Sequence, residues 1–492
     1  MSLTSRQKNI HLMWRAGFGP AAEQLPDLAK VSPAHLYKAL KEASSGKPAY
    51  VNVADSYLQG LMIGLKEEGR QQKKEMPADD KKMIRTKNRE SIKNLNLYWL
   101  NEMISSNAQL REKMALFWHG HFACRNLNVF FQQGLLDIIR RNALGSFRDL
   151  LHEVSTSAAM LNFLNNNQNK KDHPNENFAR EVMELFTLGR GNYSEMDVKE
   201  AARAFTGWGA NIRGEFVWRR VQHDSGSKTI FTKTGNFDGG EVIDLLLEQK
   251  QTAKFIVQKL YKFFVNEKPD AQRIDWLAER FYKSDYAISA VMDDIFTSEW
   301  FYNEQNTGAI IKSPVQLIAG IQRILPMKLE NEAALLLVQR LLGQLLFYPP
   351  NVAGWHGGKS WIDSSTLMMR MRFPQLLNDT DTLNVKPKDD DDQAMGRKEI
   401  DEGEMMSVNG NRKGYGKTGR SINAVIDWSN YLKSFENVSR EDLIVALSGI
   451  LIQTKSYVDT GLVKQYTDNG SRESFIKTAT IRIMSTPEYQ LC

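Results

Sequence analysis

His173-Pro174-Asn175-Glu176-Asn177-Phe178-Ala179-Arg180-Glu181-Val182-Met183-Glu184-Leu185-Phe186 is the stretch on which the fold turns. At about 100° per residue, His173, Glu176, Arg180 and Glu184 fall on one stripe, and Phe178, Val182, Leu185 and Phe186 fall opposite them. That is the period of an amphipathic helix with one face turned to a core. Asp172, His173 and Pro174 mark its start, and Gly189 and Gly191 end it after Leu188.

The same period spreads in both directions. Upstream, Leu95, Trp99 and Met103, then Met114, Phe117 and Trp118, predict two packed helices between Ile92 and His119. Residues 3 to 15 and 33 to 42 predict short helices, the second opened by Ser32 and Pro33. Residues 128 to 145 and 147 to 165 continue the pattern, and Ser194 is the N-cap of a helix that ends near Gly207. One stretch differs. Phe216, Trp218 and Val221 precede Asp224-Ser225-Gly226, and Thr229, Ile230 and Phe231 follow, which reads as a β-hairpin at about 215–234. The expectation is a mainly α, multi-helix protein with that small β insertion.

A chain of 492 residues is long for one core, so two or three packed units are expected. The divisions read as a helical segment at 1–60, a charged helix or connector at 61–91, and a helical core at 92–383. A mobile polar insertion at 384–421 and a helical segment at 422–492 follow. The insertion carries Asp389-Asp390-Asp391-Asp392, without the alternating ligands, Gly turn and closing Glu of a calcium loop. The net charge of +6 is a mild excess over this length and does not argue for nucleic acid. Two cysteines, Cys124 and Cys492, give no disulfide framework, and a free, mobile thiol is expected at Cys492. No apolar stretch approaches the roughly 20 residues of a membrane span. No apolar leader follows Met1, so a cytoplasmic location is expected.

Four groups of residues can carry chemistry. The first is the stripe itself: His173 and Glu176 as metal ligands, Glu181 or Glu184 as ligand or general base, and Arg180 to orient an anionic or carbonyl group. The bland alternative is a surface helix with Glu–Arg pairs four residues apart. The second is Phe117-Trp118-His119-Gly120-His121-Phe122, where Gly120 can end the helix and turn both rings toward one point. Imidazole plus carboxylate suits zinc, iron or manganese. A buried, hydrogen-bonded pair of imidazoles is the competing reading. The third is His223 beside Asp224, although neighbouring side chains in a strand point apart. The fourth is Pro349 to Gly358 followed by Trp361, where Trp355 and Trp361 give stacking faces for a sugar or simply plug a rigid loop into the core. No GxSxG elbow, phosphate-binding GxxxxGK[ST] loop, GxGxxG after a strand or HExxH helix is present.

These segments together resemble the bacterial domain-of-unknown-function family numbered 1800. The resemblance runs nearly end to end. It includes His11-Leu12-Met13-Trp14-Arg15-Ala16-Gly17-Phe18-Gly19, Phe117 to Phe122, His173 to Gly189, Thr206-Gly207-Trp208, His223 to Thr229, Gly235 to Gly239, Pro349 to Gly358 and Trp361-Ile362. It implies a helical protein, often encoded beside a sulfatase-like partner with an export signal, and relatives that are themselves exported. Export to the periplasm or cell surface with a signal-bearing partner is thus the alternative to a cytoplasmic location. His356 stands where relatives often have Pro, which counts against an essential role for it. The resemblance transfers no mechanism. Three functions follow as expectations: an enzyme with a His/Glu/Arg site around a divalent metal, a non-catalytic binding or export partner of the sulfatase-like protein, or a carbohydrate-binding protein.

Overall fold

Helix Gln109–His121 is the axis of the molecule, because all its residues except Gly120 are buried. A helix apolar on one side only would leave a solvent face; this one packs on several sides, against Ser5–Ala16, Pro33–Ala43, Ala78–Ser105 and Val129–Arg141. The computed structural model describes residues 3–68, 77–378, 422, 424–454 and 460–492. The expected insertion at 384–421, with its four aspartates, therefore lies outside the described residues. No described helix is long and apolar enough to cross a membrane.

The expected helices form, except that the stretch 147–165 breaks at Ser157 into Phe147–Thr156 and Ala158–Phe163. Ser32 caps Pro33–Ala43 and Ser194 caps Glu195–Ala204 through a reciprocal box with Asp197. Ala78–Ser105 opens with Asp79 and Asp80, which suit the positive end of a helix. Its Ile92, Leu95, Trp99 and Met103 are buried at helical spacing. Further helices continue from Gly239–Glu248 through Ala334–Leu341, with Ser364–Leu377 and Arg472–Met484 following.

The β structure corrects the expected hairpin. Phe216–Trp218 pairs backwards with Trp208–Ala210, Trp208 opposite Trp218, across a turn closed by Gly214 at φ +84°. Lys228–Ile230 pairs forwards with Lys233–Gly235, Thr229 opposite Thr234. The Asp224-Ser225-Gly226 turn joins two hairpins and belongs to neither. The Asp224 carboxylate accepts from the Gly226 N–H at 2.8 Å and is held by Arg203. A third pair, Met327–Leu329 with Ala424–Ile426, was not expected.

Cys492 is a free thiol but not a mobile one. It is fully buried, and its N–H donates to the carbonyl of Ile310 at 2.8 Å. Its carbonyl accepts from Arg15 at 2.7 Å. The same guanidinium donates to the carbonyls of Phe264, Val265 and Asn306, at 3.2, 2.9 and 2.6 Å. Lys113, from the axial helix, donates to the carbonyls of Trp14 and Gly17, which the end of the Ser5–Ala16 helix leaves open.

Candidate functional site

His119 and His121 do not converge. The helix runs through Gly120, so residues two apart point about 200° from one another. His119 turns to Trp99, Phe347 and Trp355, with ring centroids 5.0, 5.0 and 5.6 Å away, and its Nε2 accepts from the Phe347 N–H at 3.2 Å. Burial pulls its pKa to about 3, so the ring is neutral there. Gly354, at φ +77°, makes this contact possible: a Cβ there would stand 2.4 Å from the carbonyl of Gly120.

His121 turns the other way, onto the helix that the sequence singled out. That helix is α from Glu176 to Glu181 and then widens into a π turn over Val182–Thr187. The Leu188 N–H reaches back five residues to Met183 at 2.8 Å. Such a turn leaves carbonyls without their usual helical donors. Here other segments supply them. Lys259 donates to Leu185 at 3.1 Å, His121 Nε2 faces the Phe186 carbonyl at 3.2 Å, and Gln251 donates to Leu188 at 3.1 Å. Lys259 also donates to His121 Nδ1 at 3.1 Å, which fixes the tautomer with the proton on Nε2. Burial pulls Lys259 down to about 8, while burial and the Lys259 charge hold His121 well below the ordinary imidazole range. Gly189, at φ +79°, ends the turn where a Cβ would lie 2.8 Å from the Phe255 ring.

The polar stripe is on the surface. Arg180 bridges Glu176 at 3.0 Å and Glu195 at 2.7 Å. Those bonds, Glu195 first and against the cost of burial, raise its pKa. Glu184 accepts from the Tyr193 hydroxyl, and burial followed by that contact raises the phenol to about 12. Glu181 is half-buried, and its pKa is raised by burial and then by Glu184, with Arg180 opposing. His173 is exposed, its N–H on the Lys170 carbonyl. The four residues expected to bind a metal are thus apart: His119 and His121 on opposite sides of one helix, His173 and Glu176 at a helix start on the surface. Among the described residues no group of three or more His, Cys, Asp or Glu is placed to hold an ion.

The remaining candidates are also engaged. His223 Nδ1 faces the carbonyl and hydroxyl of Thr206 at 3.1 and 3.3 Å, and its ring meets Trp218 edge-on. Asp224 pairs instead with Arg203, whose hydrogen bond holds its pKa low. Trp361 is 8% exposed, so it offers no open stacking face, and half-buried Trp355 lies against His119. A shallow groove of about 350 Å³, lined by Leu367, Met368, Met371, Arg372 and Ser485 among others, contains none of the candidates.

Two functional-looking groups escape sequence reasoning. Lys259 shares a helix face with Phe255, four residues earlier, and that spacing was its one available signal. The other is a buried ion cluster. The Glu112 carboxylate receives Trp99 Nε1 at 2.9 Å, Arg111 at 3.1 Å and Arg140 at 2.8 Å, and Arg140 also holds Glu102 at 2.7 Å.

The His119–His121 segment, the π turn and the Trp355 loop are among the segments carrying the resemblance, and the family model described as "Protein of unknown function (DUF1800)" matches residues 11–491. The chain belongs to that family. No curated protein and no solved structure matches it. The family match takes in Arg15, the axial helix, the π turn and the Trp355 loop, so the arrangement described above falls wholly inside it.

Proposed function

We propose that this protein acts as a non-catalytic binding component, escorting the sulfatase-like partner that the family resemblance implies. One observation carries the reading: the distinctive polar side chains are engaged by the chain itself. His121 is bonded at both ring nitrogens, His119 holds a backbone N–H, and Arg180 and Glu184 are tied to Glu195 and Tyr193. Groups satisfied in this way set backbone geometry and leave the outer surface to do the binding. The test is a pulldown from the native host under mild salt, with the partner's gene deleted as control. Recovery of the sulfatase-like protein supports the reading, and its absence from the eluate overturns it.

Lys259 favours a second reading, an enzyme. A largely buried amine with its pKa near 8, lying 4.5 Å from the Phe255 ring centroid and bonded to an imidazole, has the properties of a general base. Under this reading Glu181, half-buried and raised, is the accompanying acid, and any zinc, iron or manganese would bind after His121 exchanges Lys259 for the ion. Metal analysis of untagged protein beside a Lys259→Met variant separates the readings. Stoichiometric metal in either protein favours the enzyme, and none in both favours the binding component.

A further inference from the structure

The two outer edges of the first hairpin are finished differently. The Arg219 N–H donates to the Gly207 carbonyl at 2.8 Å and the Asn211 N–H to the Glu215 carbonyl at 2.9 Å, and Trp208 lies opposite Trp218 between them. Hydrogen-bonded pairs alternate along an antiparallel ladder, so Gly209 and Val217 bond across it as well. Trp208, Ala210, Phe216 and Trp218 therefore turn their backbone N–H and C=O groups outward.

On the Trp208–Ala210 side those groups are taken up. Asn167 accepts from the Ala210 N–H at 2.8 Å, Asn166 donates to the Trp208 carbonyl at 3.1 Å, and Arg219 reaches the Ala210 carbonyl at 3.5 Å. The Trp208 N–H turns to the Phe205 carbonyl at 3.3 Å. The asparagine side chains stand in for a neighbouring strand. On the other side, the N–H and C=O groups of Phe216 and Trp218 have no hydrogen-bond partner among the described residues. Phe216 is 40% exposed, and Arg220 and Val221 beyond it are exposed too. An open edge of this kind is a template for an extended chain.

Charge narrows what fits. Arg220 lies over the Trp218 ring, 5.0 Å from its centroid, and the Lys171 N–H is tied to the same segment through the Gln222 carbonyl at 2.9 Å. Lys171, Arg219 and Arg220 make no ion pair among the described residues. The hairpin's carboxylate, Glu215, is engaged by the Asn211 side-chain amide at 2.7 Å. A second copy of this edge would set like charges against one another.

We propose that the Phe216–Trp218 edge takes up an extended, acidic segment of a partner protein as an added strand, held by main-chain bonds to Phe216 and Trp218, with its carboxylates meeting Arg220, Arg219 and Lys171. This rests on the binding-component reading and deepens it, by naming the face and the chemistry of what it receives.

The test titrates the full chain against a fluorescein-labelled peptide of alternating Thr and Glu and follows anisotropy. Saturable binding that weakens with salt is expected, and none to the same peptide with Lys in place of Glu. N-methylation of every second peptide residue is expected to abolish binding in one phase and spare it in the other, because only alternate N–H groups face the edge. Phe216→Pro removes an outward N–H without touching the ladder, and should bind the peptide about tenfold more weakly than Phe216→Leu does. Arg220→Glu should weaken it by a similar factor. The methylation result decides even if Phe216→Pro does not fold. No binding, equal binding of the Lys peptide, or indifference to the methylated phase overturns the proposal. A dimer of the chain that Phe216→Pro dissolves also overturns it. In the pulldown, recovery of the partner by Phe216→Pro and Arg220→Glu as fully as by the parent overturns the edge and leaves the escort reading standing. Peptide binding with no partner recovered upholds the edge and removes the escort reading.

Discussion

Two ion clusters, Glu112 with Arg140 and Glu195 with Arg180, use the same chemistry in opposite settings. The Glu112 side chain is 0% exposed and Arg140 2%, whereas Glu195 is 70% exposed and Arg180 32%. In the first, the carboxylate has given up water and recovers its solvation from Trp99, Arg111 and Arg140. In the second, water remains and the pair adds little. The difference teaches that a conspicuous charge pattern on a helix face marks the pair that matters less. The pair that matters more sits where charges interrupt an otherwise buried helix.

The comparison breaks most sharply at Glu112. Replacing it with Ala leaves Arg111 without its carboxylate and Arg140 with Glu102 alone, and a loss of about 3–5 kcal/mol is expected in chemical denaturation. A loss below about 1 kcal/mol would mean that water enters the cluster, and the contrast with the surface pair would disappear.

Lys259→Met comes next. It strands the Leu185 carbonyl and the His121 Nδ1 lone pair, and about 1–3 kcal/mol is expected from the unsatisfied groups. Amide exchange at Leu188 and Gly189 should quicken at the same time, because the π turn loses one of its outside donors.

Acid tests the buried imidazoles. The unfolded chain takes up a proton on His119 as pH falls through about 6.5, while the folded chain refuses it until about 3. The unfolded state therefore holds more protons in that window, and stability falls as pH falls. His119 contributes a slope of about 1.4 kcal/mol per pH unit there, and His121, also held low, adds to it. His119→Gln keeps an acceptor for Phe347 and should reduce the slope by one proton. Urea titrations at several pH values read this directly. Lys113 and Lys312, held at about 7, act in the same direction at higher pH: stability rises from about 7 toward the unfolded lysine value near 10.4.

The smallest effect is expected at Arg180→Ala, with a thermal midpoint indistinguishable from the parent in high salt. A large drop would make the surface stripe a structural element after all.

Helices such as Pro33–Ala43 and Glu195–Ala204 were legible because they combine a contrast between faces with a cap, at Ser32 and Ser194. The hairpins were misread because strands of three residues carry almost no period, and the turn that closes the first is at Gly214, not Gly226. The π turn was invisible for a different reason. Widening one turn barely disturbs the spacing of Phe178, Val182 and Phe186, which are all buried as expected. As for the site, the Glu176–Arg180 pair followed from spacing, but the pairing of Arg180 with Glu195 and the Glu112 cluster did not. Arg111-Glu112-Lys113 looks like a solvated patch, and only the packing of distant segments turns it inward. The convergence expected of His119 and His121 failed because Gly120 stays helical.

Arg15 binds carbonyls 249 to 477 positions further along the chain. On a ribosome adding about 5–20 residues per second, its helix emerges roughly half a minute or more before its last acceptor exists. A helix made this early relative to its partners is thus among the last to be completed, and a chaperone that recognises exposed apolar segments has that interval in which to hold it.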